Sequence, residues 1–423
     1  MIESNRLCRI MIKDMKTRIS KLNIDFDFEA YWEIIYLILL AFFVGMRFLL
    51  STMFTIYWPK YFYRTLTVIG VVLVLLHLMM AKDISKKEIA AMLVVTFVFM
   101  MSHYVSRYDF LVDLLILILG AYRVNFRNIL KTYIAVWSVL LVVTIIGAMM
   151  GLAENLVYYQ GESGERVRMA LGICYPTDLA AYVAFLMFAY VCVRDEYITY
   201  LEIGVMAALA GAVYYVTDAR TDFVVMIFMI LIVLLTKKKI LYNEKMLEKD
   251  AVEKMIYAVP IITCSISLWI TSIFDYGNDI LFKLNEGFAS SRLSLGKQAI
   301  DEYGISLFGQ HVYEKGYGGT TELTGTYFFM DSSYISIFIK YGALFGLLIV
   351  TLNIKLLKDG YKEKWGLFCV SIILICTQSM MEHHMIQYWY NPFIICFFCD
   401  MNNDIRMKIG KMNSKILNLN QNI

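Results

Sequence analysis

The chain has 423 residues, of which 59% are hydrophobic and 15% aromatic but only 18% charged. A soluble domain averages roughly 45–50% apolar and about 25% charged, so there is too little polar residue here to coat two or three soluble domains. Disorder and a disulfide-rich secreted scaffold fail on the same count, the net charge of +3 says little by itself, and no basic-aromatic stripe points to nucleic acid.

The expectation is an all-α, polytopic integral membrane protein whose solvent is the lipid bilayer. A helix crossing the hydrocarbon core needs ~20 mostly apolar residues. Runs of that kind lie at 33–55, 65–81, 88–105, 108–122, 132–152, 170–193, 197–217, 221–236, 251–274, 333–353, 365–381 and 386–400. About twelve transmembrane helices follow, with 108–122 and 386–400 the shortest. The basic-then-apolar N-terminus resembles a signal peptide, but its apolar run is too long and lacks an A-x-A site, so it reads as a retained first span. The chain then divides into a cytoplasmic N-terminal segment 1–32, one transmembrane domain 33–400 and a cytoplasmic tail 401–423.

Charge tests the orientation. With both termini inside, the inward loops carry 27 of the 39 Lys and Arg, outward loops and borders carry 10, and Arg47 and Lys340 fall within spans. One outward segment stands apart: 275–332 is 58 residues long and holds four basic and eight acidic residues. Loops of that length are uncommon and usually functional. Within it, 290–304 has helical spacing (Leu293, Ile300, Tyr303) and Ser290 as a candidate N-cap. The stretch 316–327 is Gly/Thr-rich and reads as flexible.

Ionisable groups in a bilayer are costly and mark candidate sites. Arg166 and Arg168 precede the sixth span, where Pro176 and then Asp178 follow; the proline predicts a kink or break. Either an outward pocket or an interfacial loop with a kink fits this stretch. Arg220 is flanked by Asp218 and Asp222 in TDARTDF, as a pocket arginine held by carboxylates or as a self-neutralised turn. Arg292 is a pocket cation or a solvated helix cation. Glu382, His383 and His384 sit beside an aromatic belt. They suit interfacial, proton-transfer or substrate-binding roles; no metal is expected, because adjacent histidines cannot share a helix face as an i,i+4 pair does. Arg47, Asp113, Glu202 and Lys340 read as lone intramembrane charges that can snorkel. The 8 cysteines show no zinc spacing, and all but Cys8 lie in apolar stretches. No Walker A, GxGxxG, GxSxG or HExxH motif occurs. Arginine forks bind phosphate oxygens in pairs, so several outward arginines would suit a pyrophosphate.

Four stretches in order resemble the Wzy-type oligosaccharide repeat-unit polymerases of the O-antigen polymerase and ligase superfamily. RMALGICYPTDLAAY (168–182) is similar to the family's Arg–Leu-Gly-x-x-His-Pro-Asn stretch, and DARTDF to its Ser-Arg-Thr turn. LNEGFASSRLSLGKQAIDEYGISLFGQ (284–310) resembles a Ser-Gly-Arg loop, helix and Leu-Phe-Gly; MDSSYISIFIKYGALFGLLI (330–349) resembles Asp-Asn-x-Tyr followed by Tyr-Gly. The NP at 391–392 also recurs in the family. The resemblance spans roughly 150–400, whereas 1–130 match only as hydrophobic spans. Tyr175 stands where the family often has His, Ser291 replaces the Gly before Arg292, and Ser332 replaces the Asn after Asp331.

The resemblance implies a GT-C-like membrane fold and a glycosyl transfer at the outer face of a bacterial plasma membrane. Donor and acceptor would be undecaprenyl-pyrophosphate-linked oligosaccharides, with a chain-length regulator and a flippase as further partners. Pyrophosphate binding would fall to Arg166, Arg168, Arg220 and Arg292, and proton acceptance to Asp331, Glu382, His383 or His311. Asp178 and Tyr334 would contact substrate elsewhere. No cofactor is implied, because arginines can supply the charge. A ligase using the same donor is the nearest alternative; a lipid-linked oligosaccharide flippase is a more distant one, expected to show internal repeats and short outward loops.

Overall fold

In lipid a chain satisfies its own backbone donors and acceptors, which leaves helices as the default for apolar runs of this length. The computed structural model describes residues 28–55, 61–81, 83–160, 165–238, 250–287, 290–322 and 325–401. The expected terminal segments therefore lie largely outside the described residues, up to 27 and from 402. Of the described residues 71% are helical, and the protein is an all-α membrane protein. Its helices are α1 (Phe28–Leu50), α2 (Phe62–Met80), α3 (Lys86–Ser106), α4 (Phe110–Gly120), α5 (Phe126–Met149), α6 (Pro176–Arg194), α7 (Tyr200–Thr217), α8 (Arg220–Lys237), α9 (Asp250–Ser272), α10 (Asp279–Gly287), α11 (Arg292–Tyr303), α12 (Ser333–Ser336), α13 (Ala343–Lys362) and α14 (Gly366–Gln378). A hairpin of β1 (Val157–Gln160) and β2 (Arg166–Met169) precedes α6.

Among the described residues, seven helices are long and apolar enough to cross a membrane, in α1, α2, α3, α5, α6, α7 and α9. The apolar runs of the sequence predict about twelve. Its fourth run is the 11-residue α4, and its last contains only a seven-residue 3-10 turn, Pro392–Phe398, begun by a proline. The tenth run is interrupted: α12 passes into a π turn, Ile337–Tyr341, and Gly342 separates that from α13.

The helix α6 is the pillar of the bundle. In its span 78% of residues are buried, against 17–39% in the other six. Ala180, Ala181, Ala184 and Ala189 are all buried there, and small side chains let neighbouring helices approach closely. Pro176 does not kink this helix. It occupies the first turn, where its missing N–H is unneeded and its fixed φ fits; residues 170–175 are turns and a bridge from Ile173 to Thr52.

Helix direction alternates, so the two ends of the bundle carry different segments. At one end, Arg123 N donates to Phe398 O and Asp400 N to Val124 O (3.1 and 2.9 Å), and Trp32 Nε1 reaches Gly120 O. At the other end lie the hairpin, the α7–α8 turn, α10, α11 and the segment 304–332. Two backbones meet closely there: Gln310 N donates to Lys340 O, Ala343 N to Ser306 O and Leu344 N to Leu307 O (3.0, 2.9 and 3.2 Å). Only glycine allows this approach. A Cβ on Gly309 would lie 2.2 Å from Lys340 O, one on Gly342 would lie 2.3 Å from Gly309 N, and both residues have φ above +90°.

The lone intramembrane charges are not lone. Arg47 pairs with Asp113 at 2.8 Å and lies over Tyr63 and Trp389, Glu202 takes Arg194 at 2.8 Å, and Lys340 pairs with Glu314.

Candidate functional site

The site is assembled from helix ends. The α11 helix starts at Arg292, and its exposed amides are capped by Asn285 rather than Ser290: Asn285 Oδ1 accepts from Leu293 N and Ser294 N at 3.0 and 3.1 Å. Ser290 and Ser291 both have positive φ, and the tight turn they form delivers Arg292 inward. Its Nη2 donates to Glu382 Oε1 at 3.1 Å, and its Nε is 3.6 Å from Asp331 Oδ2. This arginine is therefore a buried, doubly paired cation, with 14% of its side chain exposed, and not a solvated one.

Glu382 follows α14 in an irregular segment, 379–391, that is pinned from several sides. Ser333 N donates to Ser379 O and Glu382 O (3.0 and 3.1 Å), Ser333 Oγ also donates to Glu382 O, and Met385 N donates back to Ser333 Oγ at 3.2 Å. Asn391 Nδ2 donates to Met385 O at 2.6 Å while its Oδ1 caps Phe393 N at 3.0 Å. Because the segment is not a helix, His383 and His384 need not diverge; their rings lie 4.1 Å apart. His383 Nδ1 is 4.0 Å from Asp331 Oδ1, and His384 Nε2 is 3.9 Å from Asp178 Oδ1 on α6. Glu382, His383, His384, Asp331, Arg292 and Asp178 thus share one locus.

Electrostatics follow from burial. Desolvation pushes the Asp331 carboxyl up to about 6, against the pull of Arg292 and with Glu382 adding to the rise. Burial likewise lowers both imidazoles, and for His383 the neighbouring His384 and the Lys340 and Arg292 cations push the same way. A carboxyl near neutrality beside an arginine is suited to accept a proton during a reaction.

The other arginines divide. On β2 the side chains alternate between faces, so Arg166 and Arg168 share the less exposed one. Arg166 Nε donates to Asp218 Oδ2 and Arg168 Nε to Thr217 O, each at 2.7 Å, clamping the hairpin onto the end of α7. Arg168 also lies within electrostatic reach of Glu382 and Arg292. Arg220 is exposed, and neither flanking carboxylate holds it: Asp218 takes Arg166, and Asp222 accepts from Gln378 Nε2 at 2.7 Å. His311 is exposed, with Nδ1 3.3 Å from Ser106 O. Tyr334 is buried, its hydroxyl engaged by Cys376 O and Thr263 Oγ1 at 3.1 and 2.8 Å, so it ties helices together.

Gln378 and Glu314 were not singled out from sequence. The signal for Gln378 was an amide at the end of an apolar run; for Glu314 it was an acid in the long loop with a buried lysine to answer. An aromatic group borders the site: Tyr158, Tyr175 and Tyr317 lie with ring centroids 5.6–6.5 Å apart, and Tyr327 is 5.8 Å from Tyr317. Tyr327 in turn is within electrostatic reach of Asp331 and Arg292, and Val157, Tyr158, Tyr159, Tyr317 and Thr321 line a cavity beside the hairpin. Neither a family model, nor a curated protein, nor a solved structure matches this chain.

Proposed function

We propose that the chain is a membrane glycosyltransferase that polymerises undecaprenyl-pyrophosphate-linked oligosaccharide repeat units into a surface polysaccharide, in the manner of the Wzy-type polymerases it resembles. One observation carries the reading. Three of the family-like stretches contribute to a single buried locus through Asp178, Arg292 and Asp331, joined by Glu382, His383 and His384; the fourth, DARTDF, supplies Asp222 within electrostatic reach of Arg292 and Glu382. The site lies at the bundle end that carries the long acidic segment 275–332, which under the positive-inside bias faces outward, with both termini in the cytoplasm.

The chemistry needs two functions. An acceptor hydroxyl oxygen forms a bond to the anomeric carbon of the donor glycan, and the bond from that carbon to the pyrophosphate oxygen breaks. The lipid pyrophosphate leaves with the electron pair, and the hydroxyl proton passes to a base. Arg292, supported by Arg168, stabilises charge on the leaving group. Asp331, beside Arg292 and raised by burial, accepts the proton. The tyrosines from the hairpin to Tyr327 offer flat faces on which sugar rings can lie. Arg166 acts by holding the hairpin, and Arg220, exposed at the start of α8, is placed to meet a lipid phosphate from the surface.

The test uses full-length protein in nanodiscs with a synthetic undecaprenyl-pyrophosphate repeat unit. The expected result is a ladder of products with release of undecaprenyl pyrophosphate. Transfer of finished glycan only to a different lipid or wall acceptor would make the protein a ligase. Movement of the substrate across a liposome bilayer without bond formation would make it a flippase.

A further inference from the structure

Five buried polar atoms around this locus make no hydrogen bond among the described residues: Arg292 Nε, Asp222 Oδ2, Gln378 Oε1, His383 Nδ1 and His384 Nε2. Buried polar atoms are nearly always satisfied, and those that are not call for an explanation. Two of the five are imidazole nitrogens of adjacent histidines. One donor atom each from Asp178, His383 and His384 lies within 4.8 Å of the other two.

Three further features point the same way. His384 Nδ1 is 3.1 Å from Gln387 Oε1, which as an acceptor puts the proton on Nδ1 and leaves the Nε2 lone pair, 3.9 Å from Asp178 Oδ1, without a partner. A hydrogen bond of this kind, made by the ring nitrogen that does not face the ion, orients metal-binding histidines. The Tyr390 hydroxyl steadies Asp178 in the same way. The charges are also unbalanced. Asp178 lies within electrostatic reach of Glu382 and Asp331, and Asp222 of Glu382 and Asp178, against Arg168 and Arg292, while Lys340 is already paired with Glu314. A buried excess of carboxylates is costly unless a cation or protons offset it, and it would repel a pyrophosphate.

We propose that Asp178, His383 and His384 bind one divalent transition-metal ion of the zinc class, with a coordination position left free of protein ligands. Two imidazoles and a carboxylate suit such an ion better than magnesium or calcium, which prefer all-oxygen shells. Three protein ligands with an open position are also the composition of catalytic rather than structural zinc sites. Bonds of about 2.0–2.1 Å place tetrahedral ligands about 3.3 Å apart, so the His384–Asp178 distance of 3.9 Å contracts by about 0.6 Å and the other separations, at most 4.8 Å, by up to about 1.5 Å on binding. Two of the three side chains reach the surface in part, with 17% of His383 and 12% of Asp178 exposed. The binding of the ion is independent of the proposed glycosyl transfer. Its role rests on that reading: a dication here would turn a pocket rich in carboxylates into one that accepts a pyrophosphate oxygen beside Arg292.

Full-length protein carrying no polyhistidine tag is stripped with chelator, incubated with Zn2+ alone or Co2+ alone, washed, and analysed for metal by mass spectrometry. Wild type is expected to retain about one ion per chain, and the Co2+ form to show the visible d–d bands of a nitrogen- and oxygen-ligated site. His384→Gln and Asp178→Asn, which keep side-chain volume, should each lose most of the retained metal while eluting as monodisperse protein; Lys297→Ala, partly exposed on α11 beside Asp301, should retain it. Retention below about a tenth of an ion per chain by wild type, or equal retention by wild type and both variants, overturns the proposal. Polymer ladders from chelator-stripped wild type that holds no metal would remove the ion's role and leave the transfer reading standing, whereas stoichiometric metal without any ladder would do the reverse.

Discussion

Removing Arg292 separates its structural work from its chemical work. The guanidinium is held by Glu382 at 3.1 Å and Asp331 at 3.6 Å, and only 4% of the Glu382 side chain is exposed. Arg292→Ala leaves both carboxylates uncompensated, and breaking a buried pair from one side costs about 3–5 kcal/mol. The variant should therefore unfold at lower temperature in detergent. Adding Glu382→Gln removes one stranded charge, and groups in direct contact couple by about 0.5–3 kcal/mol, so the double variant should recover part of the loss. Activity should not recover with it. If Arg292 stabilises the departing pyrophosphate, losing that donor slows transfer by roughly 100- to 1000-fold, and the stabilised double variant stays slow. Initial rates of ladder formation in nanodiscs, beside thermal unfolding of the same preparations, measure both. A double variant as fast as wild type would refute the phosphate role, and strictly additive stability losses would refute the ion pair.

Three further outcomes test other parts of the structure. Gly309→Ala places a methyl 2.2 Å from Lys340 O at positive φ and should cut the yield of monodisperse protein several-fold, while Gly204→Ala on α7, whose new Cβ meets nothing within 4 Å, should leave it unchanged. Arg47→Ala strands Asp113, of which 1% is exposed, and should lower membrane abundance; Asp113→Asn in the same chain should restore it. For orientation, a cysteine at the exposed Tyr313 should react with an impermeant maleimide on intact cells, and one at Lys362, at the far end of α13, only after permeabilisation; the opposite pattern would invert the topology.

Hydropathy is a sum over neighbours along the chain, and much of what depends on such sums is legible. Helices lie in eleven of the twelve apolar runs, though among the described residues only seven are long and apolar enough to span and 386–400 holds a 3-10 turn instead, and α11 stands over 292–303 where 290–304 shows helical spacing. What failed depended on partners distant in sequence. Pro176 suggested a broken span because proline is costly inside a helix, but tertiary contacts let the helix start there. Lys340 looked like a snorkelling charge because its partner Glu314 lies 26 residues away, across the contact of Gly309 with Gly342. Arg220 looked anchored because two carboxylates flank it in sequence, yet each of those carboxylates was taken by a more distant residue.

The pair His383–His384 shows how a local rule can mislead about a site. On a helix, neighbouring side chains diverge by about 100°, from 3.6 residues per turn, and by that rule adjacent histidines cannot serve one ligand. An irregular backbone removes the restriction, but within a membrane protein it is tolerated only where protein satisfies its polar groups. Segment 379–391 meets that condition through Ser333, which bonds Glu382 O and Met385 N, and through Asn391, which bonds Met385 O and Phe393 N. Those two side chains, on α12 and ahead of Pro392, are what allow Glu382, His383 and His384 to converge on Arg292, Asp331 and Asp178. The residues that make the site are thus conspicuous by charge in the sequence, while the residues that make it geometrically attainable are an unremarkable serine and asparagine.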